Sequence, residues 1–320
     1  MSRSDASPHI RLLAPFDPLY GSYWIDGLRH LGPIQLCPIP VQLLPSSIAF
    51  EFADRKFVID AWDKPIVNEW WWKWSDVYGK VNLSLDSTIK KVVPMGPGFA
   101  TKTWGIASMA SAFLRSAGWR KERTRLDYAG KFLRQWYKRL PVTALAPGPS
   151  DPSYIFALHR YWPTEPGVNE LRARFMRVAK ASDKVLFEGG FVCSDHDQIL
   201  GHDDLLHPQL SYRRWLQLTR SSALVLNTPG VYGCLGWKLG EYLALGKAIV
   251  STPIQRQLPA DLEHGTHIHV VDGSEDSIRD AVQHITCDDS YRLRLEVNSR
   301  AYFDRYLNPP AAIRRFVSCS

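Results

Sequence analysis

From Leu216 to Pro253 the chain reads LQLTRSSALVLNTPGVYGCLGWKLGEYLALGKAIVSTP, two short apolar runs separated by a turn, a glycine-bearing loop and an amphipathic stretch. Few architectures accept that order. Ala223 to Leu226 has the character of a buried strand and breaks at Asn227, Thr228, Pro229 and Gly230. Gly233 and Gly236 let the backbone come close to a ligand, and Trp237 to Leu245 sets Trp237, Leu239, Tyr242, Leu243 and Leu245 at helical spacing. Gly246 stands at the C-cap, and Ala248, Ile249 and Val250 begin a second strand. Strand, loop, helix and strand in this order make a right-handed parallel crossover, whose ligands lie beyond the carboxyl ends of the strands. The helix start there favours an anion such as a phosphate.

The rest of the chain repeats the alternation. Ile10 to Pro15 reads as a strand, Phe16 to Gly21 as a loop, Ser22 to Leu31 as a helix and Ile34 to Ile39 as a second strand, without a G-x-G-x-x-G fingerprint. Phe57 to Ala61, Val81 to Leu83 and the run from Val92 are further strand candidates, and Arg120 to Arg139 reads as a basic helix. Ala146-Pro147-Gly148-Pro149-Ser150 looks like a linker. Beyond it come a strand at Tyr154 to Leu158, a helix at Glu170 to Lys180 and a strand at Val185 to Phe187. Alternation on both sides of the break predicts two doubly wound α/β domains, over 1–150 and 151–300, with 301–320 as a closing segment.

The helix Glu241-Tyr242-Leu243-Ala244-Leu245-Gly246-Lys247-Ala248-Ile249-Val250 resembles the donor-binding segment of group 1 GT-B glycosyltransferases, E-A-x-A-x-G-x-P-V. The resemblance covers the second half well and the first in outline. It implies a GT-B fold, two Rossmann-like domains facing across a cleft. It also implies transfer of a sugar from a nucleotide-sugar donor to a glycan or lipid-linked acceptor, with no metal and no cofactor beyond the donor as co-substrate. Glu241 matches the family's ribose-binding acid, and a carboxylate accepting two hydroxyl hydrogen bonds suits that task. The family's first acid falls at Gly233, so that carboxylate is missing. Tyr302, Phe303, Tyr306 and Leu307 resemble the final segment that returns to the N-terminal domain.

Other candidates follow from position. Lys238, three residues before Glu241, can meet a phosphate or pair with that acid. Arg160, just past a strand, offers a bidentate fork to a diphosphate, or forms a surface ion pair. Gly190 and Phe191, in Glu188-Gly189-Gly190-Phe191-Val192, either admit a flat nucleobase or make a tight turn. Gly21 and Ser22 open a helix whose amides favour an anion. Asp60 and Asp63 close a strand, as an acceptor-activating base or as turn residues.

Composition narrows the partners. A net charge of +7 suggests anionic partners, while no recognition motif for nucleic acid is visible. No apolar run approaches the roughly 20 residues of a membrane span, and the N-terminus lacks a signal-peptide core, so the expected place is cytoplasmic. The basic helix, and Trp70, Trp71 and Trp72 among 12 tryptophans, admit a peripheral contact at the inner face of a membrane. Five dispersed cysteines read as reduced thiols. Asp195-His196-Asp197 spells a metal-binding D-x-D but reads better as a polar loop, and His264, His267 and His269 offer no clear third ligand for a metal. Two rivals remain, a sugar-nucleotide epimerase of the same fold and a noncatalytic nucleotide-sugar or nucleic-acid binder.

Overall fold

A computed structural model describes residues 9–14, 16–38, 46–117, 122–193 and 201–319 of the chain. Two compact units result. The first takes the described residues of Met1–Ala144 together with Arg256–Ala260 and those of Arg305–Ser320, and the second takes those of Leu145–Gln255 with Asp261–Asp304. Both combine helices with parallel strand pairs. The Asp195-His196-Asp197 triplet lies outside the described residues.

In the first unit β1 (Ile10–Ala14), β2 (Ile34–Pro38), β3 (Ser47–Phe52), β4 (Arg55–Asp60), β5 (Val77–Lys80) and β6 (Val92–Pro94) form one sheet in the order β2-β1-β3-β4-β5-β6. Its outer pairs are parallel, whereas β3 runs antiparallel to both β1 and β4. The sheet is therefore mixed, which open α/β sheets tolerate. A two-residue turn makes the hairpin: Ala53 and Asp54 both adopt positive φ, 49° and 59°, and this turn geometry matches the twist of the paired strands. The strand expected at Val81 to Leu83 lies four residues earlier, as β5.

Among the described residues before the linker this unit has four α-helices: α1 (Ser22–Leu28), α2 (Glu69–Trp74), α3 (Ile106–Ala117) and α4 (Glu122–Lys138). The tryptophan run forms α2, capped by Asn68, whose side chain accepts from the Trp71 amide; Trp71 is buried and Trp70 exposed. The C-terminal helix Pro309–Val317 packs on α1 at Gly27, where a Cβ would come within 2.4 Å of the Pro309 carbonyl. Phe316 then meets Phe50 and Phe57 edge-on.

The second unit holds β7 (Tyr154–Arg160), β8 (Leu186–Val192), β9 (Leu224–Asn227), β10 (Ala248–Ser251) and β11 (His269–Val270), all pairing in parallel. Its helices are α5 (Pro166–Lys180), α6 (Tyr212–Ser221), α7 (Trp237–Ala244), α8 (Glu275–Cys287) and α9 (Asp289–Tyr302). Leu224, Leu226, Ala248 and Val250 share a core with Phe175 and Met176 of α5 and Ile278 and Val282 of α8. The alternate residues Val225 and Ile249 face the other side of the sheet and are also buried, as parallel strands covered on both faces require.

β7 and β9 are joined through the Ser222 side chain and a backbone hydrogen bond beside it. The buried Ser222 hydroxyl accepts from the Phe156 amide at 2.8 Å and donates to the Leu224 carbonyl at 2.6 Å, while the Ala223 amide donates to the Tyr154 carbonyl at 2.7 Å. The lateral order is thus β8-β7-β9-β10-β11, the doubly wound order 2-1-3-4-5, whose switch point lies between β7 and β9. Removing the hydroxyl leaves a buried amide without its acceptor. Ser222→Ala is expected to lower stability by about 2 kcal/mol, read as a lower urea midpoint at unchanged slope.

Candidate functional site

The helix that follows β9 in the second unit positions the site. After Asn227 the chain turns through Thr228, Pro229 and Gly230, and the Gly230 amide donates to the Cys234 carbonyl at 2.9 Å to close a compact loop. Gly233 sits at φ 69° and Gly236 is the N-cap of α7. Both line a shallow recess beyond the ends of β9 and β10, together with Asn227, Thr228 and Pro253 to Gln255. The loop, the two glycines and the start of α7 are therefore one local structure, as their order along the chain predicts.

Behind the loop lies a charged cluster. Lys238, in the first turn of α7 and partly buried, donates through Nζ to the Leu158 carbonyl of β7. Burial first, and then the neighbouring Arg172, bring its pKa down from the ordinary 10.5 to about 7, against the pull of Glu241. Arg172 comes from α5 and is buried; its Nε donates to Thr228 Oγ1 at 2.9 Å and its Nη1 to the Arg160 carbonyl at 2.9 Å. Desolvation lowers this guanidinium to about 10. His159, buried on β7, is pushed well below 6.5 by desolvation and by Lys238 and Arg172, so it is neutral, and its Nε2 has no hydrogen-bond partner.

Glu241 lies one turn further along α7 and is only 4% exposed. It accepts from the Tyr212 hydroxyl at 2.9 Å, and Tyr212 stacks on Trp215, which stacks in turn on Tyr242. The acid is thus held from α6 as well as by its own helix, in the field of a lysine and an arginine. Such an assembly is suited to an anion carrying hydroxyl groups: cations for the charge and a carboxylate for the hydroxyls.

The other expected residues lie at the edge of this cluster or away from it. Arg160 is exposed, with its guanidinium 5.0 Å from the Trp162 ring, because alternation along β7 turns it away from buried His159. The Glu188 to Val192 segment is the strand β8 itself, where either a base-admitting loop or a tight turn was expected. Gly189 and Gly190 adopt φ 140° and 154°, and a Cβ would meet the Ala157 carbonyl oxygen at 2.0 Å or that of Leu205 at 2.2 Å. Phe191 is buried edge-on against Tyr161. Gly190 and Phe191 therefore serve packing.

In the first unit Ser22 is buried, donating to the Leu19 carbonyl and accepting from the Thr101 amide at 3.0 Å, while a Cβ on Gly21 would lie 2.8 Å from the Asp17 carbonyl. This pair ties a loop to α1. Asp60 is fully buried, receiving the Tyr78 hydroxyl at 2.6 Å, the Lys80 ammonium at 2.9 Å and the Trp62 amide at 2.8 Å. Three donors therefore hold it away from solvent, two at Oδ2 and one at Oδ1, whereas Asp63 is exposed. His269 and His264 lie with ring centroids 4.9 Å apart, His269 bonded to the Tyr291 hydroxyl at 2.8 Å and His264 accepting from the Val270 amide.

No protein-family model matches the sequence, and no curated protein does. Among solved structures the chain is similar to the C-terminal domain of a group 1 family glycosyl transferase from Francisella tularensis, at 14% identity over 51% of this chain and 95% of that one, TM-score 0.37. It is similar to a UDP-forming α,α-trehalose-phosphate synthase from Burkholderia xenovorans, at 12% identity over 85% and 53%, TM-score 0.41. It is also similar to a UDP-GlcNAc 2-epimerase from Neisseria meningitidis, at 15% identity over 75% and 60%, TM-score 0.40. The chain spans between half and two thirds of the length of the latter two.

Two outcomes separate the open cluster from the closed one. Lys238 carries a depressed pKa in the fold, so its charge opposes folding below the unfolded-chain value of 10.5 and does so fully below about 7. Lys238→Met is expected to raise stability by about 2 kcal/mol at pH 6.5, a gain that fades as pH approaches 10.5, measured by denaturant unfolding across pH. Asp60→Ala strands the buried Lys80 and is expected to cost about 3–5 kcal/mol in the same assay.

Proposed function

We propose that the protein is a GT-B type glycosyltransferase, moving a sugar from a nucleotide-sugar donor to an acceptor hydroxyl during glycan assembly without a metal ion. One observation carries the reading. Lys238, Arg172 and neutral His159 are gathered beside Glu241 at the carboxyl end of β7, at the switch point of a doubly wound sheet and behind a glycine loop. Below about pH 7 two partly dehydrated cations face the Glu241 carboxylate, so the cluster carries an excess of positive charge that a further anion would balance. A donor diphosphate supplies that anion, and it gains most negative charge as the sugar leaves, when fixed cations accelerate the transfer.

Glu241 takes the ribose hydroxyls in this assignment, replacing its contact with Tyr212. Gly233 and Gly236 let the loop backbone close on the donor, and Lys238 meets the diphosphate with Arg160 at the rim. Asp63 is the exposed carboxylate of the two acids closing β4, and it is the better placed to take an acceptor proton.

A thermal-shift screen of UDP-, GDP-, dTDP- and ADP-sugars tests the assignment. Saturation at about a hundred times Kd stabilises by about 2.7 kcal/mol, so one donor is expected to raise Tm by about 5 °C or more. Glu241→Ala and Lys238→Met are expected to abolish the shift while leaving a folded protein, and Arg160→Ala to reduce it. No shift with any donor sinks the proposal. Interconversion of the bound donor without an acceptor moves the assignment to an epimerase.

A further inference from the structure

The helices α3 and α4 carry a surface that the donor site does not use. Along α4 the buried side chains Tyr128, Phe132 and Gln135 face the unit, as an amphipathic helix requires. The opposite side should be polar. It carries Leu126, Leu133 and Tyr137 instead, 79%, 53% and 79% exposed, and their spacing of seven and four residues makes them one stripe. The neighbouring α3 adds exposed Ile106 and Leu114. Apolar side chains scattered singly are ordinary on a surface, but a continuous stripe on a helix already packed by its other side is not.

The same stretch holds the chain's charge. From Arg115 to Arg139 the sequence has nine lysines and arginines against two acids, an excess of seven, which equals the net charge of the whole protein. Exposed Arg134 and Lys138 flank the apolar stripe on one side. A nucleic acid would use such charge without needing three large apolar side chains beside it, whereas an anionic bilayer engages both.

We propose that the outer face of α3 and α4 seats this protein on an anionic lipid surface. The apolar stripe enters the boundary between headgroups and acyl chains, and the flanking cations meet lipid phosphates. The inference is independent of the donor site and stands or falls apart from it.

Vesicle co-sedimentation of the full chain tests it, using phosphatidylcholine vesicles with and without phosphatidylglycerol. Binding is expected to be about tenfold or more tighter with phosphatidylglycerol and to weaken with salt. Leu133→Asp with Tyr137→Asp is expected to reduce it about tenfold or more, as is Arg134→Glu with Lys138→Glu, at unchanged circular dichroism and Tm. Equal binding to neutral vesicles overturns the proposal, as does binding that survives the stripe substitutions. Absence of vesicle binding also overturns it. If size exclusion then shows a dimer that Leu133→Asp dissociates, a second copy covers the stripe, and if duplex DNA binds as tightly to the stripe variant as to the parent, the basic face serves nucleic acid.

Discussion

Burying charge is the most costly thing this fold does, and the way each buried charge is met separates support from function. Asp60 and Lys80 answer each other, with the Tyr78 hydroxyl also donating to Asp60, while the Lys80 ammonium and the Asn82 amide both donate to the Trp62 carbonyl. Lys247 is treated alike in the second unit: it donates to the Arg220 carbonyl at 3.0 Å and lies 3.7 Å from Glu296. These networks are closed. At the end of β7 burial and Arg172 together depress the charged state of Lys238, and the buried His159 Nε2 is left unpartnered. Arrangements of that kind are concentrated where proteins bind or react.

The cluster's position follows from the strands beneath it. β9 and β10 are covered on both faces, so all but their last side chains are apolar and the polar groups, Asn227 and Ser251, stand at their ends. Ser222 sets where β7 and β9 come together, and beyond their ends the connections leave in opposite directions. Arg172 enters this gap from α5, and Lys238 enters from α7.

What the sequence discloses is what depends on neighbours along the chain. The unit from Ala223 to Val250 is legible because turn residues, glycines and helical spacing are local signals, and β9, α7 and β10 lie where they place them. The β3–β4 hairpin is not legible, because its turn uses Ala53 and Asp54 where glycine or asparagine would have announced positive φ. Gly189 and Gly190 imitate a loop, yet they are glycines so that a neighbouring strand and the Leu205 carbonyl can pass within contact. Arg172 is hidden for a further reason. It is one of three arginines along α5, with Arg174 and Arg177, and only the tertiary packing decides that it, and not they, is buried against Thr228. Asp60 carries the opposite lesson: an acid at a strand end suggests catalysis until its three donors are counted.

The distribution of charge binds these observations together. Outside the stretch from Arg115 to Arg139 the chain has thirty basic and thirty acidic residues, so the anion affinity proposed for the second unit has no surplus charge outside that stretch to draw on. It must come from a few cations held at short range, partly out of water, where added salt screens them little. The exposed Arg134 and Lys138 of α4 are the reverse case, open to solvent and strongly screened. The two proposed sites would separate two kinds of anion recognition, a shaped pocket that discriminates between ligands and a diffuse basic face that selects only a kind of surface. Had the seven surplus charges been spread over the second unit, polyanions would have competed with any donor at the end of β7.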